Sequence, residues 1–229
     1  MKNYLIIGAS SGIGKNIAEQ LAKEHQIFGT YRNTAVDIAH NIHYHYLDVM
    51  SEEKDLSFLP EQLDGLVYCP GSINLKPFKR FNTQDFMDDF KLQVAGAVDI
   101  IQKCLPRLQK SEQASIILFS SVAAQTGFNF HAQVSTSKGA IEGLAKALAA
   151  ELAPKVRVNV IAPSLTHTPL AASMLNSDKK IEANAERHPL KSIGKSEDIA
   201  HLATFLLSDK AKWITGQVHR VDGGISTLR

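Results

Sequence analysis

The sequence predicts an α/β fold, a parallel sheet covered by helices on both faces, and three observations carry that prediction. Short strand-like runs alternate with helical patterns over the whole chain, which is the signature of strands joined by helical crossovers. The first run, residues 4–7, is apolar throughout, as a short strand buried on both faces requires. It leads directly into the turn Gly8-Ala9-Ser10-Ser11-Gly12-Ile13-Gly14, where a strand gives way to a helix.

Composition bounds the rest. A chain of 229 residues lies within the range of one large α/β domain, so residues 1–229 are read as a single domain. With 44% apolar and 21% charged residues, it has the make-up of a folded globular protein rather than a disordered one. A formal charge of +2 is too small to make nucleic acid or an anionic membrane the main partner. Cys69 and Cys104 have no metal-ligand spacing and form no disulfide framework, which fits a reducing cytoplasm. The apolar run after Met1-Lys2 is too short for a signal peptide, and no stretch approaches the roughly 18 apolar residues of a membrane span.

The turn after the first strand carries the first functional expectation. A helix start presents unpaired N–H groups and a partial positive charge, and so attracts phosphate. Gly8, Gly12 and Gly14 remove side chains that would block a pyrophosphate or a close helix–strand contact. Ser10 and Ser11 add hydroxyl donors. The spacing, Gly-x-x-x-Gly-x-Gly, differs from the commoner Gly-x-Gly-x-x-Gly. Helical spacing of Ile17, Ala18, Leu21 and Ala22 then predicts a helix over 15–24, and residues 27–30 a second strand. After that strand an acid suits a ribose 2′-hydroxyl and an arginine a 2′-phosphate. The chain has Tyr31-Arg32-Asn33, and a guanidinium fork matches a phosphate.

Residues 43–47 predict a third strand ending at Asp48-Val49. His43 and His45 share one face of it, but no third ligand is placed and no metal is expected. Asp48 either accepts from an adenine amino group or starts a turn. Residues 65–69 predict a fourth strand, stopped by Pro70-Gly71. Asn82 is placed to cap a long helix over 83–109, in which Phe86, Phe90, Val94, Val98 and Ile101 form a core stripe, part of it available to another subunit. Residues 115–119 predict a fifth strand ending in Ser120-Ser121. A helix over 138–152 is closed by Pro154, and residues 157–161 predict a sixth strand before Ala162-Pro163. Residues 170–187 read as a polar helical insertion within a substrate lid at 165–195, with Leu170, Met174 and Leu175 as apolar lining. Ser196 is placed to cap a helix over 197–207, and residues 215–224 supply a last strand and turn. Gly8, Arg32, Asp48, Gly71, Ser121 and Pro163 all fall just after strands, where parallel sheets bind ligands.

Together these segments resemble the short-chain dehydrogenases/reductases over nearly the whole chain. The glycine turn resembles that family's cofactor turn, and Asp48-Val49 its adenine-binding step. Gly71 is the retained glycine of its Asn-Asn-Ala-Gly segment. Residues 117–121 resemble the strand ending in its catalytic serine. Residues 156–163 resemble the strand beside the nicotinamide, with Ser164 in place of a glycine, and Thr215-Gly216 and Val221-Asp222-Gly223-Gly224 its carboxyl-terminal signature. The resemblance implies a Rossmann-type doubly wound parallel sheet of about seven strands, a nicotinamide cofactor and a homodimer or homotetramer. It implies that Gly8, Ser10, Ser11, Gly12, Ile13 and Gly14 hold the diphosphate, that Asp48 and Val49 meet the adenine, and that Gly71 and Pro163 flank the cleft. It also implies that Lys138 binds the ribose and that Thr166 and Thr168 hold the carboxamide.

The chain departs from the family at the chemistry. The family's tyrosine stands four residues before its lysine and thirteen after its serine. Counting from Lys138 and Ser121, that position is Val134, which has no exchangeable proton. Gln93 stands at the family's asparagine. Three readings follow. His131, seven residues before Lys138, supplies the proton; it has the offset of the tyrosine in related enoyl-thioester reductases, and imidazole titrates near neutrality. Alternatively, Ser121 and Lys138 act with water alone, which suffices for an activated alkene. In the third reading the protein binds NADP(H) as a catalytically inactive regulatory or scaffold protein. The expectation adopted is a cytoplasmic NADP(H)-dependent oxidoreductase moving hydride between nicotinamide and an apolar carbonyl or activated alkene, with Ser121, Lys138 and His131 as catalytic residues.

Overall fold

A computed structural model describes residues 1–33 and 40–228. Its strands are β1 (Asn3–Ile7), β2 (Gln26–Tyr31), β3 (Ile42–Tyr46), β4 (Gly65–Tyr68), β5 (Ala114–Phe119), β6 (Val156–Pro163), β7 (Thr166–His167), β8 (Gly194–Lys195) and β9 (Val218–Val221). Seven of them form one sheet in the order β3-β2-β1-β4-β5-β6-β9, and every pairing is parallel. The chain therefore winds outward in one direction from β1 and then in the other from β4. That reversal opens a crevice at the carboxyl ends of the central strands.

The helices are α1 (Gly12–Leu21), α2 (Thr83–Phe90), α3 (Gly96–Leu108), α4 (Ala132–Leu152), α5 (Asp178–Ala185) and α6 (Ser196–Leu207). Successive strand residues point to opposite faces, and β1 divides accordingly. Leu5 and Ile7 join the core beneath α3 and α4, whereas Tyr4 and Ile6 join the core beneath α1 and α6. Because all four residues are fully buried, β1 has no solvent face, which is why its sequence does not alternate.

The structure corrects four boundaries. The helix expected over 83–109 is divided: α2 and α3 are joined by a π-helical segment, Lys91–Ala95. The cause is Tyr68, whose hydroxyl donates to the Leu92 carbonyl at 2.6 Å and lies where a side chain on Gly96 would be. A side chain inserted into the ladder opens it by one residue. Asn82 does cap α2, in a reciprocal capping box with Asp85. The second correction is that α4 starts at Ala132, six residues earlier than its apolar pattern shows, with His131 as its N-cap residue. Third, Ser196 lies inside α6; Lys195 is the N-cap residue, and its backbone N–H donates to Asp198 at 2.7 Å. Fourth, the insertion over 170–187 is two pieces, a 3-10 turn Pro169–Met174 and the helix α5. Strands β7 and β8 pair at its base, Thr166 opposite Gly194.

Candidate active site

The glycine turn is built as its composition demands. Gly8 and Gly12 have φ of +80° and +54°, a region that disfavours any side chain. Gly14 faces a different constraint: a β-carbon there would overlap the Gly8 carbonyl oxygen, so α1 can press onto the end of β1 only with glycine at this position. The turn is anchored to β2, with the Gly8 N–H donating to Thr30 Oγ1 at 3.1 Å and the Ala9 N–H to the Thr30 carbonyl at 2.8 Å. Ser11 precedes α1 but its side chain caps nothing, which leaves its hydroxyl and the first N–H groups of α1 available to an anion. Ile13 belongs to α1 and lines the adjoining cavity.

Arg32 and Asp48 come together at the edge of the crevice. Arg32 Nε lies 3.2 Å from Asp48 Oδ2, and Asp48 Oδ1 also accepts the Met50 N–H at 2.9 Å. One guanidinium edge is thus held and, among the described residues, the two terminal nitrogens remain for another acceptor. The Val49 side chain is buried in the core, so only its backbone can meet an adenine.

Beyond these lies a cavity of about 220 Å³. Its wall contains Gly71, Ser121, His131, Val134, Lys138, Pro163, Thr166 and Thr168, together with Leu170 and Met174 from the 165–195 excursion. Leu175 is buried elsewhere and is not part of the wall. Ile73, Leu75 and Phe128 make much of the remaining surface apolar. No tyrosine is among the lining residues; Val134 stands one turn before Lys138 on α4 and is buried.

Lys138 is the electrostatic centre of this wall. Its ammonium donates to the Phe119 carbonyl at 2.9 Å. Burial pushes its pKa down to about 8, opposed chiefly by the negative charge of Asp89. Asp89 is buried and accepts Gln93 Nε2 through both carboxylate oxygens at 2.8 Å; Ser72 Oγ donates to it as well. Gln93 Oε1 is buried without a partner, and a β-carbon on Gly71 would lie 3.3 Å from it and 3.6 Å from Lys138 Nζ. A buried acceptor without a donor is costly, so this corner suits a ligand or water that brings hydrogen-bond donors. The absence of a Gly71 side chain keeps the way to it open.

The remaining expected residues are present with defined partners. Ser121 Oγ accepts the Ala123 N–H at 3.2 Å. His131 Nδ1 contacts the Asn129 carbonyl at 2.7 Å, and its ring packs against Phe128. Thr166 Oγ1 donates to the Ser164 carbonyl at 2.9 Å. Thr168 lies 3.5 Å from where a Gly12 β-carbon would be, so the loop after β6 closes against the glycine turn after β1.

Some residues on and behind the wall escaped the sequence. Asp89 sits four residues before Gln93, a spacing that places the two on one helix face, and that signal was available. His188 falls within the expected lid at 165–195, one residue past the polar insertion, and no role is expected for it. It contacts Ser164 Oγ through Nε2 at 2.9 Å. Cys69, also on the wall, has its thiol pKa pushed up to about 12 by burial, so it is not a nucleophile near neutrality.

Comparison with known proteins agrees with this geometry. Residues 8–226 match the family described as Enoyl-(Acyl carrier protein) reductase. The chain is 32% identical over 242 residues to the 3-oxoacyl-acyl-carrier-protein reductase FabG of Aquifex aeolicus, with 98% of this chain and 97% of that protein covered. Among solved structures, a short-chain type dehydrogenase/reductase from Mycobacterium ulcerans superposes with a TM-score of 0.89 at 30% identity, over 100% of this chain and 90% of that one. ElxO with NADP bound superposes with a TM-score of 0.86 at 26% identity, over 98% and 99% respectively.

Proposed function

The chain belongs to the short-chain dehydrogenase/reductase family, and from that premise we propose that it is an NADP(H)-dependent oxidoreductase acting on an apolar carbonyl compound or activated alkene. The observation that carries the reading is the wall itself: Ser121, Lys138, Thr166 and Thr168 line one cavity with Ile13 of the glycine turn. The residues fit a dinucleotide. In the cradle, positive φ at Gly8 and Gly12 disfavours side chains and Gly14 has no room for one, Ser10 and Ser11 add donors beside it, and Gln93 Oε1 lacks a donor.

When bound, the nicotinamide supplies or accepts hydride. The chain's own residues do the rest. The turn from Gly8 to Gly14 grips the diphosphate, Asp48 and the Val49 backbone meet the adenine, and the Arg32 terminal nitrogens bind the 2′-phosphate. Lys138 binds the ribose, Gly71 and Pro163 flank the ring, and Thr166 and Thr168 hold its carboxamide. Ser121 orients the substrate oxygen, and Leu170 and Met174 exclude water above it. Val134 stands where the family's tyrosine would be, so the proton must pass through another group on this wall; His131 and Lys138 are two that can carry one. That ElxO, a structural neighbour, has NADP bound supports NADP(H) as the cofactor. Among the described residues, no helix is long and apolar enough to cross a membrane, and two free cysteines suit a cytoplasmic setting. Exposed Met87 and Phe90 on α2 support assembly as a homodimer or homotetramer.

Tritiated NADPH, incubated with the protein and a panel of ketones and enones, tests the reading. Label entering product is the expected result. Tight binding of NADPH with no transfer across the panel would instead favour a nicotinamide-binding regulatory or scaffold protein.

A further inference from the structure

We propose that Ser164 and His188 form a proton-transfer pair on the cavity wall, Ser164 meeting the reacting oxygen and His188 holding the proton behind it. The inference rests on the oxidoreductase reading and names the group that replaces the missing phenol.

Position comes from the sheet. Phe119 of β5 is level with Ile161 of β6, on strands about 4.8 Å apart, and the Ser120 N–H donates to the Ile161 carbonyl at 2.8 Å. Ser121 and Ser164 therefore both lie just past the carboxyl ends of these adjacent strands, which end at Phe119 and Pro163, and both line the cavity. Its backbone is fixed, because the Ser164 N–H donates to the Val221 carbonyl at 3.2 Å.

Chemistry comes from His188. The ring is buried, 3% exposed, and wedged against the carboxyl-terminal turn, where a β-carbon on Gly223 would lie 3.4 Å from it. Its Nδ1 lies 2.8 Å from the Asn184 carbonyl oxygen. A carbonyl can only accept, so Nδ1 carries its hydrogen whether the ring is neutral or charged. Nε2, 2.9 Å from Ser164 Oγ, is then the atom at which a proton comes and goes. With the ring neutral, Ser164 donates to Nε2 and its oxygen is an acceptor. With the ring charged, Nε2–H donates to Ser164, whose own O–H is released to donate to a substrate oxygen.

The step balances. In reduction, the substrate carbon takes hydride and the nicotinamide ends oxidised. The oxygen of the resulting alkoxide or enolate takes the Ser164 hydroxyl proton, the Ser164 oxygen takes the Nε2 proton, and His188 is left neutral until solvent recharges it. Oxidation of an alcohol runs the same transfers backwards. The titratable and charged groups around His188 are Glu186, Arg187 and Lys191 on its own segment, Asp222 on the carboxyl-terminal turn, and His131 and Lys138 on the cavity wall.

The same contact also ties the 165–195 excursion to the sheet, so the test must separate a latch from a relay. His188→Gln retains an acceptor for Ser164 and a donor for Asn184 but cannot hold the proton. Ser164→Ala removes the hydroxyl with little change in volume, and Ser164→Thr restores it. The full chain is assayed with tritiated NADPH and whichever ketone or enone the wild type reduces, across a pH series. Both His188→Gln and Ser164→Ala should slow label transfer by about 100- to 10,000-fold, the usual range for a lost general acid, with NADPH binding unchanged. Ser164→Thr should recover much of the rate, and His188→Gln should remove one ionisation from the pH profile. Wild-type rates and profile in both variants overturn the relay and leave the family reading intact. A wild type that moves label to nothing in the panel overturns the hydride-transfer reading, and the relay with it.

Discussion

Gly14→Ala tests the glycine turn directly. The new β-carbon would overlap the Gly8 carbonyl oxygen and sit 3.0 Å from its carbonyl carbon and 3.2 Å from Cys69 Sγ. The carbon–carbon distance is about 0.5–1 Å inside the optimum of about 3.5–4.0 Å, and Gly8 is backbone with no rotamer to yield. Forcing a methyl group into such a contact costs about 1–3 kcal/mol. Replacing a helical glycine returns about 0.5–1 kcal/mol, so at the middle of both ranges the net loss is about 1 kcal/mol. For a chain of this size that lowers the melting temperature by about 2–4 °C. The shift must move α1 away from β1, which also displaces the N–H groups proposed to hold the diphosphate. NADPH affinity, read by calorimetric titration, should therefore fall together with stability. Gly143→Ala is the control. It lies on exposed α4 surface with nothing within 4 Å of its β-carbon position, so it should raise the melting temperature by about 1–4 °C. If Gly14→Ala melts at or above wild type and binds NADPH as well, the close-approach argument is wrong.

Other perturbations address the rest of the site. Arg32→Ala should weaken NADPH by about tenfold, the low end for a charged hydrogen bond at a half-exposed group, and leave NADH nearly untouched; equal losses would show that Arg32 reads no phosphate. Lys138 loses its charge as pH rises through about 8, so NADPH affinity should fall between pH 7 and 9.5 in the wild type and stay level in Lys138→Met. Its unfolded form keeps the proton to near the ordinary lysine value, so the unfolded state binds more protons in that window. This lysine's contribution to stability therefore rises with pH there, and the loss of affinity cannot be assigned to unfolding. His131→Phe should lower turnover with little change in NADPH affinity, and by less than Ser164→Ala does; a larger loss would move the proton to His131.

How much of this was legible in the sequence depended on whether a feature was local. The glycine turn was readable because phosphate binding and close packing are both settled by neighbouring residues: Gly8, Gly12 and Gly14 each stand where a β-carbon is excluded by conformation or contact. The strands were readable for the same reason, since β1 is buried on both faces and carries no alternation. The π segment was not, because its cause, the Tyr68 hydroxyl, comes from a strand 24 residues away. Nor was the start of α4: residues 132–137 lack an apolar stripe, and Gln133 and Ser137 are buried polar residues that obscure the period. Arg32 and Asp48 were each placed after a strand, yet their ion pair depends on β2 and β3 lying side by side. Ser164 and His188 are separated by 24 residues, and no spacing rule joins them.

The widened turn at Lys91–Ala95 has a counting consequence. A π turn holds one residue more than the α-helical turn it replaces, and one residue corresponds to about 100° of rotation about the axis. Remove a single residue there and the ladder could close into an unbroken rod, locally more regular than before. Everything ahead of the deletion would then swivel relative to α3, carrying Asp89 away from Ser72 and breaking its aim toward Lys138. The surplus residue thus works as a setting screw: it makes the helix worse as a helix and fixes the direction in which its buried carboxylate points.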